Sequence, residues 1–506
     1  MTNLLMRPET SERCHEQIWK ESPLKCTSSA FPSLFKEKLV YLINDVLYSI
    51  FEELRNDKKS LYSCLLVDRT WCVVAVPILW KNPTRTDNPN YYLSEKVVCA
   101  LFNVIYSHLP VELREYDIET YQYPSFNYIN FWRHLDFDHL NCIIERKLIG
   151  TSNDSNVSNI RNEMLKLFIN RDTKFTHLSI YINYDCQLYQ ISGTEHCFSE
   201  LESFCYTGNS DQSILEGLAR ICKSIKKLVF DIIRYPTDNS GFIKLIEVQK
   251  NLNDVCIFHI YDGDDPNNSF YKTLEEILIK HANTLKYLRI DWKPITRFLS
   301  YLVNLLSLEI RIPHLVYYNE PDNLKNLSFP ILRILKVRQI PSKIITNLIE
   351  STKGNLVKIK IKYCDSDNIK RLIQAIYQNC PNLEYLKLSL LSNADLIFPE
   401  FENLLIKCKF LNGLVFNTYD DKFDWVNLFS ILTKSSPISL INFKFFSIKV
   451  QYIKDVTLFL DNWKDRYPIS LSLTNYNLNY YEVKQQLQDY KTKGIIKKCY
   501  FNSGEI

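Results

Sequence analysis

From residue 175 onward one short pattern recurs: an apolar residue, two of any kind, an apolar residue, one of any kind, and an apolar residue. It begins at Phe175, Leu201, Ile225, Leu252, Leu285, Leu305, Leu332, Leu356, Leu383, Leu411, Leu440, Pro468 and Ile496. The spacing averages roughly 27 residues. Within each unit the alternation after the second apolar residue suits a short strand. The interval that follows often has helical periodicity; over 368–378, Ile369, Leu372, Ile373 and Ile376 share one face. A single strand–helix unit has too little apolar area to fold alone. Stacked side by side, such units share a continuous core and curve into a horseshoe. The expected class is therefore α/β, with short parallel strands alternating with helices. The rival, an ordinary α/β domain with buried strands, does not explain so many ordered matches. Leu356, Ile359, Ile361, Leu386 and Leu388 are expected in the core. The spacing stretches between Leu252 and Leu285 and shrinks between Leu285 and Leu305, where Asp262–Pro266 is expected to insert a loop.

Length agrees with a repeat array, because 506 residues exceed a single ordinary core. Lys and Arg barely outnumber Asp and Glu, and both signs are interspersed, so no nucleic-acid stripe or polybasic tail stands out. The 15 cysteines are an odd number without a C-x-x-C pair, which reads as reduced, buried thiols in a cytoplasmic or nuclear chain. Glycine-rich phosphate loops, a nucleophile elbow, a zinc-protease motif and a complete calcium loop are all missing. No apolar run is long enough to span a membrane, and the N-terminus does not fit a signal peptide. Neither cofactor nor metal is expected.

Ahead of the repeats, residues 42–83 hold three short amphipathic stretches. Asn44 or Asp45 can cap the first, which carries Val46, Leu47, Ile50, Phe51 and Leu54. Asp57–Ser60 is a polar break in which Ser60 can cap again. Leu61, Leu65 and Leu66 mark the second stretch; Trp71, Val74, Ala75, Ile78 and Leu79 mark the third. So small a core leaves some large apolar groups for a partner. Leu61 to Val67 followed by Trp71 and Trp80 resembles an F-box, with Ile43 at the position where that module usually has proline. The repeats resemble leucine-rich repeats. Tyr363-Cys364 and Asn379-Cys380-Pro381-Asn382-Leu383 are similar to the cysteine-containing type common behind F-boxes, and the remaining units diverge from it.

The resemblance implies a substrate receptor of a Skp–cullin–F-box ubiquitin ligase, non-catalytic itself, built as a three-helix F-box followed by a leucine-rich-repeat horseshoe solenoid. It implies that Leu42, Ile43, Leu47, Ile50, Leu54, Leu61, Leu65 and Trp80 contact the Skp adaptor, with Trp71 holding the helices together. The cullin is reached through that adaptor. The rivals are a repeat scaffold outside any ligase and a hydrolase with a dispersed site. The expected organisation is a poorly ordered segment over 1–41, including a lead-in helix over Phe31–Tyr41, the F-box over 42–83, a bridging region over 84–160, and the repeats over 161–506. The bridge should hold helices near 93–107 and 129–140 and a polar loop over 150–159. In a repeat strand the residues between apolar positions face away from the core. Arg289, Glu309, Lys336, Lys360, Lys387 and Lys444 occupy that place, broken by Val415 and flanked by Arg311, Arg338, Lys358 and Lys362. The expectation is one basic ridge for an acidic or phosphorylated target segment, with no nucleic-acid or membrane partner.

Overall fold

The computed structural model describes residues 44–505 apart from 86–92, 114–123, 149–153, 182–191, 209–211, 233–239, 260–267, 313–321, 365–367, 391–396, 419–422, 447–452, 475–479 and 502–503. The segment 1–41, Leu42, Ile43 and Asp262–Pro266 thus lie outside the described residues. The chain divides into two compact units, Met1–Lys226 with Ser240–Lys250, and Lys227–Asn239 with Asn251–Ile506.

The first unit opens with helices 44–53, Lys58–Cys64 and Arg69–Trp80. Asp57, not Ser60, caps the second, accepting from the Ser60 amide at 3.2 Å and its hydroxyl at 2.6 Å. Asp68 caps the third through the Trp71 amide at 2.8 Å. Phe51, Leu61, Cys64, Val74, Ala75 and Ile78 form the small core. Trp71 meets Phe51 edge-on at 5.1 Å, bridging the first and third helices.

Beyond the helix Glu95–Ser107, the expected helix near 129–140 is replaced. A 3-10 turn, Tyr128–Phe131, leads into strand β1 (His134–Asp136), and a helix runs only over Phe137–Leu148. The reason is a further copy of the repeat pattern: Trp132, Leu135 and Phe137 are all buried. β1 pairs in parallel with β2 (His177–Ile180), and β2 with β3 (Ser203–Gly208), aligning Leu135, Leu178 and Phe204. The polar loop expected over 150–159 does not hold from Asp154 onward, where a helix runs over Asp154–Phe168, and 150–153 lie outside the described residues. Buried Ile160, Met164, Leu165 and Phe168 anchor it, and its Asp, Ser and Asn residues form its first turns. Helices Gln212–Ile221 and Ser240–Glu247 complete the unit. There the Gln249 amide takes over a helix-end joint that cysteines fill elsewhere. It donates to the Cys222 carbonyl and accepts from the Ile225 amide, both at 2.9 Å, while the Cys222 thiol donates to the Phe198 carbonyl at 3.2 Å.

The second unit is a parallel sheet of β4 (Lys227–Ile232), β5 (Asp254–His259), β6 (Tyr287–Ile290), β7 (Ser307–Arg311), β8 (Ile334–Arg338), β9 (Lys358–Cys364), β10 (Tyr385–Leu390), β11 (Gly413–Thr418), β12 (Asn442–Phe446), β13 (Ile469–Thr474) and β14 (Ile496–Phe501), joined in sequence order. A short β15 (Gly504–Glu505) pairs antiparallel with β14. The middle apolar position of every repeat falls into one line: Leu228, Val255, Leu288, Leu308, Leu335, Ile359, Leu386, Leu414, Phe443, Leu471 and Cys499. All are buried, as are Leu356, Ile361 and Leu388. Strands alternate with helices as in leucine-rich-repeat proteins. The helix Ile369–Asn379 buries Ile369, Leu372, Ile373 and Ile376. Cys380 is a buried free thiol, its pKa pushed up to about 12 by burial and then by Cys408. The Cys364 side chain lies outside the described residues.

The shortened repeat ahead of β7 has a visible cause. A 3-10 turn, Phe298–Tyr301, replaces the helix. The chain is anchored instead by Glu275, fully buried on the helix Asn268–Lys280. Its carboxylate accepts from Trp292 Nε1 at 3.0 Å, the Ile295 amide at 2.9 Å, and the Thr296 amide and hydroxyl at 2.6 Å each. Four donors satisfy a charge that burial would otherwise penalise heavily.

Candidate functional site: a cationic bank on the sheet

Parallel pairing fixes what the alternation suggests. Arg289, Glu309, Lys336, Lys360, Lys387, Val415 and Lys444 are direct neighbours across β6 to β12. Arg311, Arg338 and Lys362 form a second row two residues on. Lys358 stands two residues before the first row, beside Tyr385. Strands about 4.8 Å apart put these charges in mutual range.

The row is not one continuous basic ridge, because charge sorts within it. Glu309 meets Lys336 Nζ at 2.9 Å, Arg311 Nη2 at 2.7 Å and Arg289 Nε at 3.5 Å. Arg289 also forks onto Asp291 with two contacts of 3.2 Å. Burial pulls the Glu309 carboxyl upward, but the Lys336 hydrogen bond and the surrounding cations outweigh it and hold the group ionised below its usual range. At Asp291 burial wins over Arg289 and Arg311 and the shift is upward. Arg289, Arg311 and Lys336 are therefore engaged in a nearly closed network.

The remaining cations are not. Among the described residues, no carboxylate lies within ion-pair distance of Lys360, Lys362, Lys387 or Lys444. Aromatic faces hold several of them instead. Lys358 and Lys360 stand 4.9 and 5.4 Å from the Tyr385 ring, and Lys387 and Lys444 each 4.9 Å from Phe446. Burial, then Lys362, Lys360 and Lys444, push Lys387 down to about 8. Lys360 and Lys362 move downward for the same kinds of reason. A cavity of about 280 Å³ opens here, walled by Lys336, Arg338, Lys360, Lys362, Tyr385 and Lys387 with the Glu309 network at its margin. At its edge the backbone is irregular. Gln339 and Tyr363 sit at φ +60° and +58°, and a bulge interrupts the β9–β10 pairing. Among the described residues, Arg338 Nε and both amide atoms of the buried Gln339 have no hydrogen-bond partner. Such a pocket can hold a polyanion by charge and hydrogen bonds.

The residues assigned to an adaptor by resemblance sort by exposure. Leu61 is 1% exposed and belongs to the module's own core. Leu47, Leu54 and Leu65 lie half-buried against that core. Trp80 is half-buried, its ring tilted against Tyr128 with ring centres 4.5 Å apart. Ile50 is 52% exposed. Val46, Leu66, Val67 and Val73 are exposed alongside it. Val46 and Ile50 are four apart and so share one side of helix 44–53, turned away from the buried Phe51. Choosing Phe51 as the anchor of the inner face would have found them.

No family model matches the chain, and no curated protein matches it. Among solved structures, it is similar to the leucine-rich repeat-containing protein LegL7 from Legionella pneumophila, at 14% identity over 59% of this chain and 89% of that one, with a TM-score of 0.34. It is also similar to the Rad7 and Elc1 complex in yeast, at 14% identity over 70% of this chain and 85% of that one, with a TM-score of 0.37. Among the described residues, no group of three His, Cys, Asp or Glu side chains is placed to hold a metal, and no helix is long and apolar enough to cross a membrane.

Proposed function

We propose that this chain is the substrate-recognition subunit of a Skp–cullin–F-box ubiquitin ligase. In this reading the helices over 44–80 dock on the Skp adaptor, which brings the cullin. The cationic bank of β8 to β10 receives an acidic or phosphorylated segment of the target. The chain supplies no chemistry of its own. Tethering raises the effective concentration of target lysines at the charged ubiquitin-carrying enzyme.

The observation that carries the reading is the surface of the three-helix module. Its core is satisfied by six buried residues, yet Val46, Ile50, Leu66, Val67 and Val73 stand in solvent. So many large apolar groups on so small a module fit a partner's apolar face. The uncompensated lysines of the bank supply the matching reason for an anionic target.

Affinity purification from cells with proteasome activity blocked tests it. Wild type should bring down a Skp adaptor and a cullin. Ile50→Asp with Val67→Asp places two charges where apolar contact is needed and should abolish both. Both positions are exposed, so circular dichroism should stay at the wild-type level. Adaptor and cullin recovered at wild-type yield from the double variant would overturn the docking assignment. A wild-type chain that captures a target without any cullin would favour a scaffold.

A further inference from the structure

The second unit carries another surface, on the edge where helices turn back into strands. Three consecutive turns end in a large apolar side chain facing water: Phe410 before β11 is 61% exposed, Ile438 before β12 is 73%, and Tyr467 before β13 is 67%. These turns are stacked directly. The Ser439 hydroxyl lies 2.8 Å from the carbonyls of both Lys409 and Leu411, its one hydrogen shared between them. The Arg466 guanidinium donates to the carbonyls of Thr433 and Ser436. Ile469 donates to the Ile495 carbonyl at 3.0 Å, adding the turn before β14. The three apolar tips therefore form a single file.

Cations interleave with them. Lys407 and Lys409 precede Phe410, Lys464 and Arg466 precede Tyr467, and Lys493, Lys497 and Lys498 surround the next turn. All but Arg466, which is half-buried, are exposed. Lys434 lies before Ile438 and pairs with Glu402 at 3.2 Å. Asp465 is exposed among the tips, and Asp461 and Asp489 are exposed on the helices that lead to them. The cations outnumber these acids, so the balance along the edge is positive.

We infer that this edge docks on an anionic membrane surface, the apolar tips entering the headgroup–acyl boundary and the lysines meeting lipid phosphates and carboxylates. Tips this exposed stand clear of the surface instead of lining a groove, so they match a fluid apolar layer better than a shaped protein pocket. Interleaved lysines keep their charge at headgroup level while their stems follow the apolar groups inward. Juxtaposed cations add attraction to anionic lipid that salt weakens. The inference is independent of the ligase reading, since it uses none of the residues assigned to adaptor or target.

The test is vesicle co-sedimentation of the purified full-length chain. Phosphatidylcholine vesicles containing phosphatidylserine should retain the wild type, pure phosphatidylcholine vesicles should retain little, and high salt should release it. Phe410→Ser, Ile438→Ser and Tyr467→Ser together should weaken binding at least about tenfold. Lys407→Glu, Lys409→Glu and Lys464→Glu together should abolish the preference for phosphatidylserine. All six positions are exposed, and the melting temperature should confirm folding. Failure of the wild type to bind phosphatidylserine vesicles overturns the inference, as does unchanged binding by both triple variants. Loss of vesicle binding in Lys360→Glu, Lys362→Glu, Lys387→Glu alone would move the contact to the sheet bank and also overturn it. Light scattering that shows a wild-type dimer broken by the serine triple would assign the edge to a second copy instead.

Discussion

Lys387 shows how a single side chain can oppose the fold that holds it. Its ammonium is half-buried and faces Lys360, Lys362 and Lys444, which lowers its pKa from 10.5 to about 8. At neutral pH the folded chain keeps the charge at a cost the unfolded chain does not bear. A group depressed in this way has its cost fully present below about 8, and the cost falls away as pH rises from there toward 10.5. Lys387→Met should therefore stabilise the protein at pH 7 by about 1 kcal/mol after discounting for the exposed part of the side chain. The gain should shrink from about pH 8 upward and be nearly gone by 10.5. Thermal unfolding of both forms across that pH range checks it; a melting temperature lowered at pH 7 would refute the electrostatic account. That a stabilising change should also weaken anion binding is what a functional position predicts. The sequence placed Lys387 in its row, because strand alternation is a period of two. It could not show that Glu309 would engage Arg289, Arg311 and Lys336 at once, since that depends on distances across three strands.

At the scale of elements, legibility followed periodicity. The repeats with apolar residues at regular spacing were readable, including those starting at Pro468 and Ile496. β1 was not, because Trp132 opens its repeat and charged Asp136 and Asp138 flank Phe137, which together imitate an amphipathic helix. The helix Asp154–Phe168 was hidden by Asn and Ser, residues as common in caps as in loops. The 3-10 turn Phe298–Tyr301 depends on one buried group that no spacing rule identifies. Glu275→Ala would leave the Trp292 indole N–H, the Ile295 and Thr296 amides and the Thr296 hydroxyl without an acceptor. The expected loss is on the order of 3 kcal/mol, seen as a lower urea midpoint together with faster amide exchange over 292–296. Exchange unchanged in that segment would mean that the turn is held by its packing alone.

For the whole molecule, the proposal assigns adaptor and target to different compact units, so the two activities should be separable by mutation. The lesion that tests this belongs at Lys360, Lys362 and Lys387, and not at Lys336. Lys336 already serves Glu309 at 2.9 Å, so Lys336→Glu would set two carboxylates side by side and cost stability without emptying the pocket. Lys360→Glu, Lys362→Glu and Lys387→Glu remove cations that have no acid to answer them and should instead relieve repulsion. The triple variant is expected to remain folded, to keep the adaptor and cullin at wild-type levels, and to lose at least about tenfold in affinity for a phosphorylated target segment. Wild-type affinity should fall steeply with salt, since contacts at a surface pocket are screened over about 8 Å at physiological ionic strength; in the triple variant that dependence should flatten. Fluorescence anisotropy with a labelled phosphopeptide from a captured target, against its unphosphorylated form, measures both. A target segment that binds the triple variant as tightly as wild type, with the same salt slope, would exclude the bank as the recognition surface while leaving adaptor docking untouched.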